Sequence, residues 1–409
     1  MHDTPSTLSR LFTAILLVTA SLTAPAAVAE TLTLGQAFAA AWERHPAART
    51  APARHDEFAA RRESADSFLS GAPTATLSNR NDRLQRDAGQ SEWEAGIALP
   101  LWLPGYQERT LALIEREQSA YAALVEQARW KLAGEVRERW WQAMLAGNER
   151  AVAEAHGDAA RHLANDVERR VRAGELARMD GHQARAADAA AAAAVAEADG
   201  RAHRAERSFL ALTGLPQLPA PSGMNEQRRQ APTTPHPQLA ALETAIATAR
   251  ARLDVAARNS RDLPEIMLGM RRERPVADAD WESSTIVGVR IPLATDARNR
   301  PRVAAANAEL VEAEALLSYE RQRVDAERDA AGRELQRADE ALAHAETRRT
   351  LAIEMRREYA RAFALGNIDL PQRLRVDADA FAAELAAARA RLEAARAVSR
   401  YNQAIGVLP

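Results

Sequence analysis

The sequence predicts a mainly α chain with a small β part, built twice on one plan. Three observations carry this prediction. Landmarks of different kinds recur at nearly one offset: Pro100 and Pro292, Gly174 and Gly366, and Gly214 and Gly406 stand 192 positions apart, and His45-Pro46 and His236-Pro237 stand 191 apart. Self-similarity at a fixed period marks an internal repeat. Two breaker-poor runs, from about Gln107 to Arg172 and from about Arg298 to Ala364, read as helices of roughly 100 Å at about 1.5 Å per residue. Between the helices lie short segments whose apolar residues alternate with a period of two, the mark of a strand with one apolar face.

The elements follow in order. Residues 1–29 read as a secretory signal, with Arg10 before an apolar core, Leu11–Leu22, and Ala27-Val28-Ala29 before a cut at Glu30. The first repeat then covers residues 30–215. Leu32–Leu69 is expected to be helical and to end at Gly71-Ala72-Pro73, and Thr74–Arg80 is a first strand. Glu92–Leu101 is the second, with Trp93, Ala95, Ile97 and Leu99 on its apolar side. The long helix from Gln107 breaks at Gly174, and a return helix from Met179 to Leu212 ends at Gly214. Residues 216–235, rich in Pro, Gln and Ser without apolar periodicity, form a linker. The second repeat, residues 236–409, opens with a helix to Arg261, followed by a strand over Glu265–Arg271. A strand over Trp281–Leu293 comes next, with Val287, Val289, Ile291 and Leu293 on one face. A helix to Ala364 turns at Gly366, and its return runs from Leu370 to Ala404.

Helices this long persist only when packed lengthwise on others. Val303, Leu310, Leu317, Val324, Ala331, Ala338, Ala345, Ala352 and Tyr359 fall every seven residues, a coiled-coil seam. At Glu320, Glu327 and Glu334 the companion seam turns acidic, so that side is expected to meet water.

Composition narrows the function. Apolar residues make up 47% and charged ones 27%, which excludes a disordered chain and a helical membrane bundle. A net charge of −2 gives no reason to expect nucleic acid, since the arginines alternate with carboxylates as on solvated helix faces. Without cysteine there are no disulfides and no thiolate metal site. The histidines are scattered without ligand spacing, and Met267 and Met270 face opposite sides of a strand. No nucleophile–base pair, phosphate loop or carboxylate pair stands out, so neither catalysis, a cofactor nor a bound metal is expected.

Four short strands cannot close around a lumen and leave open edges. Several chains that pool their strands would meet both constraints, with apolar faces to lipid and polar faces to a water-filled bore. Trp93 and Trp281 begin strands near polar loops, as an interfacial aromatic girdle would.

In its twofold repeat, in Pro100-Leu101 and Pro292-Leu293 between strand and long helix, in the glycine turns at Gly174 and Gly366, and in Leu212–Gly214, the chain resembles the TolC-like outer membrane factors. These are channels of tripartite efflux and type I secretion. The Ala- and Arg-rich helices are most similar to the heavy-metal, CzcC-like branch. The resemblance implies a homotrimer whose strands form a twelve-stranded β-barrel in outer-membrane lipid and whose rods form an α-helical barrel in the periplasm. It implies as partners a periplasmic adaptor and an inner-membrane pump, expected to be of the RND type. It places Gly174, Leu176, Gly366 and Ile368 at the periplasmic tip, where the adaptor docks. Relatives often close the tip with acidic side chains. Here Asp369, Arg373, Arg375 and Asp377 occupy that region, and either an ion-paired gate to a neighbouring chain or ordinary i,i+4 pairs would account for them. A periplasmic adaptor and a soluble coiled-coil scaffold stand as alternatives. The first predicts a single hairpin between β-rich halves, and the second predicts a soluble protein.

Overall fold

The computed structural model describes residues 32–84, 88–216, 226–259, 261–293 and 296–409. The signal segment 1–29 and the middle of the linker, 217–225, lie outside the described residues.

The chain enters through helix α1, Leu34–Arg44, held by a capping box: the Gln36 amide donates to Thr33 Oγ1 at 3.2 Å and the Thr33 amide to Gln36 Oε1 at 2.8 Å. The mostly helical stretch expected over Leu32–Leu69 consists of two helices that meet at His45. His45 precedes Pro46, whose ring disfavours helical backbone at the residue before it, and His45 is extended (φ −70°, ψ 136°). Its Nδ1 accepts the Ala47 amide at 3.2 Å and so starts α2, Pro46–Asp66. The repeat copies this device. His236 Nδ1 accepts the Gln238 amide at 3.3 Å and starts α5, Pro237–Arg258.

Strands β1 (Thr74–Asn81), β2 (Ser91–Pro100), β3 (Glu265–Arg274) and β4 (Glu282–Arg290) make one antiparallel sheet in sequence order. The two repeats join through β2 and β3, where Gly96 lies opposite Gly269. β1 and β2 fall within one residue of expectation, and β3 and β4 differ more. β3 runs three residues further than Arg271, because it matches β2 across their whole shared length, to Arg274 opposite Ser91. β4 is shorter: Trp281 lies just outside it, and it stops at Arg290, two residues before Pro292, which has no N–H for the ladder.

Helices α3 (Tyr106–Arg172) and α4 (Arg178–Thr213) form one hairpin, and α6 (Asp296–Ala364) and α7 (Leu370–Ala404) form the other. α3 is 67 residues long and α6 is 69. α3 also packs on α5 and α7, which ties the halves together. Every residue of the α6 heptad from Val303 to Tyr359 is buried or half-buried, with Val324 and Ala331 fully so. The companion seam corrects an expectation: Glu320 is buried, its carboxylate accepting the Gln238 side-chain amide, because α5 packs over this turn of α6. Glu327 and Glu334 are exposed.

The main core lies where α1, α3, α4 and α7 meet, around Phe38, Leu132, Val136, Trp140, Phe209 and Leu392. Among the described residues no helix is long and apolar enough to cross a membrane.

Candidate functional site: the strand sheet and the hairpin tips

Residues directly opposite on neighbouring strands share a face, so the pairing register sorts the sheet. One face carries Leu77 on β1, Ile97 and Leu99 on β2, Ile266, Leu268 and Met270 on β3, and Val287 and Val289 on β4. The other carries Thr76 and Ser78, Glu92 and Glu94, Arg271 and Glu273, and Ser284 and Arg290. In a water-soluble sheet the apolar face would be covered. Here Leu77 is 72% exposed, Val287 71% and Met270 63%. On β2 the positions alternate so that Trp93, Ala95 and Ile97 are the exposed ones and Glu92, Glu94 and Gly96 are half-covered.

The polar face is internally paired. Arg271 lies 3.0 Å from Glu92 and 3.6 Å from Glu94, and Arg290 lies 3.2 Å from Glu265. It is also kept low by glycine. A Cβ on Gly269 would sit 3.0 Å from the Ala95 carbonyl oxygen, and one on Gly96 would sit 3.3 Å from Thr76 Oγ1. β1 and β4 each have one neighbour, so each leaves an open edge. Trp93 stands on the apolar face opposite Arg272, near the loop end of the strands. Trp281 precedes β4 at the same end, with the Arg272 and Arg274 guanidinium groups 5.1 and 5.2 Å from its ring centre.

At the far end of the helices the two turns are closely alike. Gly174 (φ +79°) and Gly366 (φ +76°) both adopt left-handed backbone, which favours glycine. The Glu175 amide returns to the Arg170 carbonyl at 2.9 Å and the Asn367 amide to Ala362 at 2.9 Å, the long bond of a Schellman turn. Both glycines are exposed, and a Cβ on either would meet nothing within 4 Å. Leu176 and Ile368 are half-buried and pack on a small core of Ala164, Val167, Ala184, Phe363 and Leu370, in which both hairpins take part.

Of the four candidate gate residues, Asp369 caps α7 by accepting the Gln372 amide at 3.0 Å. Arg373 and Asp377 pair with each other at 2.9 Å, one helical turn apart. Arg375 is exposed. Within one chain, therefore, the i,i+4 pairing is the arrangement present.

Sequence reasoning missed two features. Arg170 joins the hairpin tips: it donates to the Ala364 carbonyl at 3.3 Å, lies 3.4 Å from Glu175 and sits 5.3 Å over the Phe363 ring. One arginine among many on a helix gives no local signal of such a role. The other is a buried polar network in mid-body. Arg137 is paired with Glu226 and donates to Gln403 and to the Val407 carbonyl, while Ser399 and Asn402 also donate to Glu226. Glu226, Gln227 and Arg229 lie midway along the linker, so the network pins that segment to α3 and α7. Among the described residues no group of three or more His, Asp or Glu side chains is arranged to hold a metal ion.

No family model matches the chain. One curated relative, the cobalt-zinc-cadmium resistance protein CzcC of Cupriavidus metallidurans, is 26% identical over 220 residues; the match covers 50% of this chain and about half, 51%, of that protein. Among solved structures, CusC superposes with a TM-score of 0.74 at 15% identity, covering 92% of this chain and 93% of CusC. The open-state MtrE outer membrane channel of Neisseria gonorrhoeae gives 0.71 at 18% identity over 91% of this chain and 89% of its own. The CmeC outer membrane channel of Campylobacter jejuni gives 0.70 at 14%, over 91% and 85%. Likeness along nearly the whole chain gives this protein the fold of the TolC-like outer membrane factors.

Proposed function

We propose that the protein is the outer-membrane channel of a tripartite efflux system, a passive duct for substrate handed on by a periplasmic adaptor and an inner-membrane pump of the RND type. The observation that carries this reading is the inverted sheet. Its apolar face is left open and its polar face is internally ion-paired, which suits lipid on one side and a wet bore on the other. The two open edges call for more strands, and a homotrimer with four strands per chain supplies them. Energy and choice of substrate then rest with the pump and adaptor, and no catalytic group is needed. The same reading makes Trp93 and Trp281 the interfacial girdle, and Gly174, Leu176, Gly366 and Ile368 the adaptor contact. It leaves Asp369, Arg373, Arg375 and Asp377 as the gate region, with Arg375 able to reach a neighbouring chain.

Heavy-metal cations are the proposed cargo, supported by the partial likeness to CzcC. Deleting the protein should lower tolerance to cobalt, zinc or cadmium, and drug sensitivity without metal sensitivity would overturn that assignment. For the channel itself, the mature chain extracted in detergent should be a trimer that conducts ions in planar bilayers. A folded, water-soluble monomer would refute it. Replacing Gly366 with tryptophan should leave the trimer and its conductance intact and abolish efflux, and unchanged efflux would remove the tip from the adaptor interface.

A further inference from the structure

Charge is sorted between the two faces of the sheet. All five strand carboxylates, Glu92, Glu94, Glu265, Glu273 and Glu282, belong to the polar face, and the apolar face has none. Arg272 and Arg274 nevertheless lie on the apolar face, in its last two rows before the loops. Arg271, one residue away on the other face, has two carboxylates within 3.6 Å. Arg272 and Arg274 have none within ion-pairing range among the described residues; the buried Nε atoms of Arg271 and Arg274 alike lack a hydrogen-bond partner, so the carboxylates are what separates the two faces. What they share is Trp281, whose ring holds both guanidinium groups side by side.

Position along the strand sharpens the point. Ile266 and Arg274 bracket the apolar band and lie eight residues apart, roughly 27 Å along the strand at about 3.4 Å per residue. Tilted by about 40°, that is roughly 20 Å along the membrane normal, close to the height of a barrel's apolar belt. The arginines thus stand at headgroup level on the lipid side, at the end away from the helices. Two uncompensated guanidiniums there need anions, and planar N–H forks match phosphate oxygens.

We infer that Arg272 and Arg274, held by Trp281, bind the phosphate groups of an outer-leaflet glycolipid, one site per protomer. This rests on the channel reading, since only a bilayer brings such headgroups to this row. The test uses the full mature chain, purified as a trimer in detergent and titrated with bisphosphorylated lipid A, fully dephosphorylated lipid A and inorganic phosphate, with binding read by native mass spectrometry. Bisphosphorylated lipid A should bind the wild type, the dephosphorylated form should bind at least tenfold more weakly, and millimolar phosphate should not compete. R272Q/R274Q should lose binding at least tenfold, and R272K/R274K, which keeps the charge without the planar fork, should fall between the two. Equal binding by R272Q/R274Q, or equal binding of both lipids, would overturn the site, and full competition by inorganic phosphate would reduce it to a free-anion site and overturn the lipid. Conductance of the same preparations reads the channel assignment separately: a conducting double variant that still binds lipid A sinks the site alone, and a non-conducting wild type sinks both.

Discussion

At the middle of the helical body Arg137 is 3% exposed with its partners in the same chain, whereas in the sheet Leu77 and Val287 are more than 70% exposed on a face that nothing among the described residues covers. The first region hides a charge and satisfies it fully. The second displays hydrocarbon on one face and keeps its ion pairs on the other. A single copy therefore carries the stability of its helical body with it, while the sheet depends on what surrounds it. Lipid would cover the apolar face and sister strands would complete the edges.

That contrast can be broken most severely at Arg137. Replacing it with methionine leaves the Glu226 carboxylate half-enclosed without its cation, a loss of about 3–5 kcal/mol for a broken buried pair. Denaturant unfolding should show it, and adding Glu226→Gln should recover part of the loss. A null effect of R137M would mean that the mid-body network is no more than incidental.

In the sheet, Leu268→Arg puts a cation on the proposed lipid face and should cost about 2–4 kcal/mol per chain, read as loss of the proposed trimer from outer-membrane fractions. Ser78→Arg places the same group on the polar face, directly opposite Glu94, and should leave the oligomer intact. If both variants assemble equally well, the two faces are not different in the way described.

The smallest expected effect is a pH dependence near the tips. His156 stacks on Phe381 at 4.0 Å, and burial pushes its imidazole down; Asp377 and Glu384 oppose this and Arg356 adds to it. A depressed value in the fold means that the neutral ring is the form the structure prefers. Its stabilising contribution is complete above about pH 6.5 and is lost as the pH falls below that. Protection factors in the α3–α7 contact, taken relative to the intrinsic exchange rate at each pH, should therefore fall as the pH drops from about 7.5 to about 5.5, and H156F should abolish the change. Unchanged protection in the wild type would mean that His156 titrates alike in both states.

Much of the fold was legible in the residue pattern. The offset between Gly174 and Gly366, the heptad from Val303 to Tyr359, and the alternation in β2 and β4 each mapped onto an element within a few positions. Those signals are local: a left-handed turn selects glycine, a seam repeats every seven residues, and a pleat repeats every two. The misses share a different cause. Glu320 looked like a residue facing water until α5, some eighty positions away, closed over it. Arg137 meets Glu226 across 89 positions and Gln403 across 266, and Arg170 meets the Ala364 carbonyl across 194.

By itself, then, the chain of residues determined the repeat, the rods, the turns and the sidedness of β2, β3 and β4, because backbone preference and periodic burial act over one or two turns of chain. Only the tertiary structure decided which carboxylate is buried, which arginine links the tips, and that Arg272 and Arg274 share the apolar face with one tryptophan. Those outcomes depend on which distant segments meet, and a side chain's identity does not announce its partner.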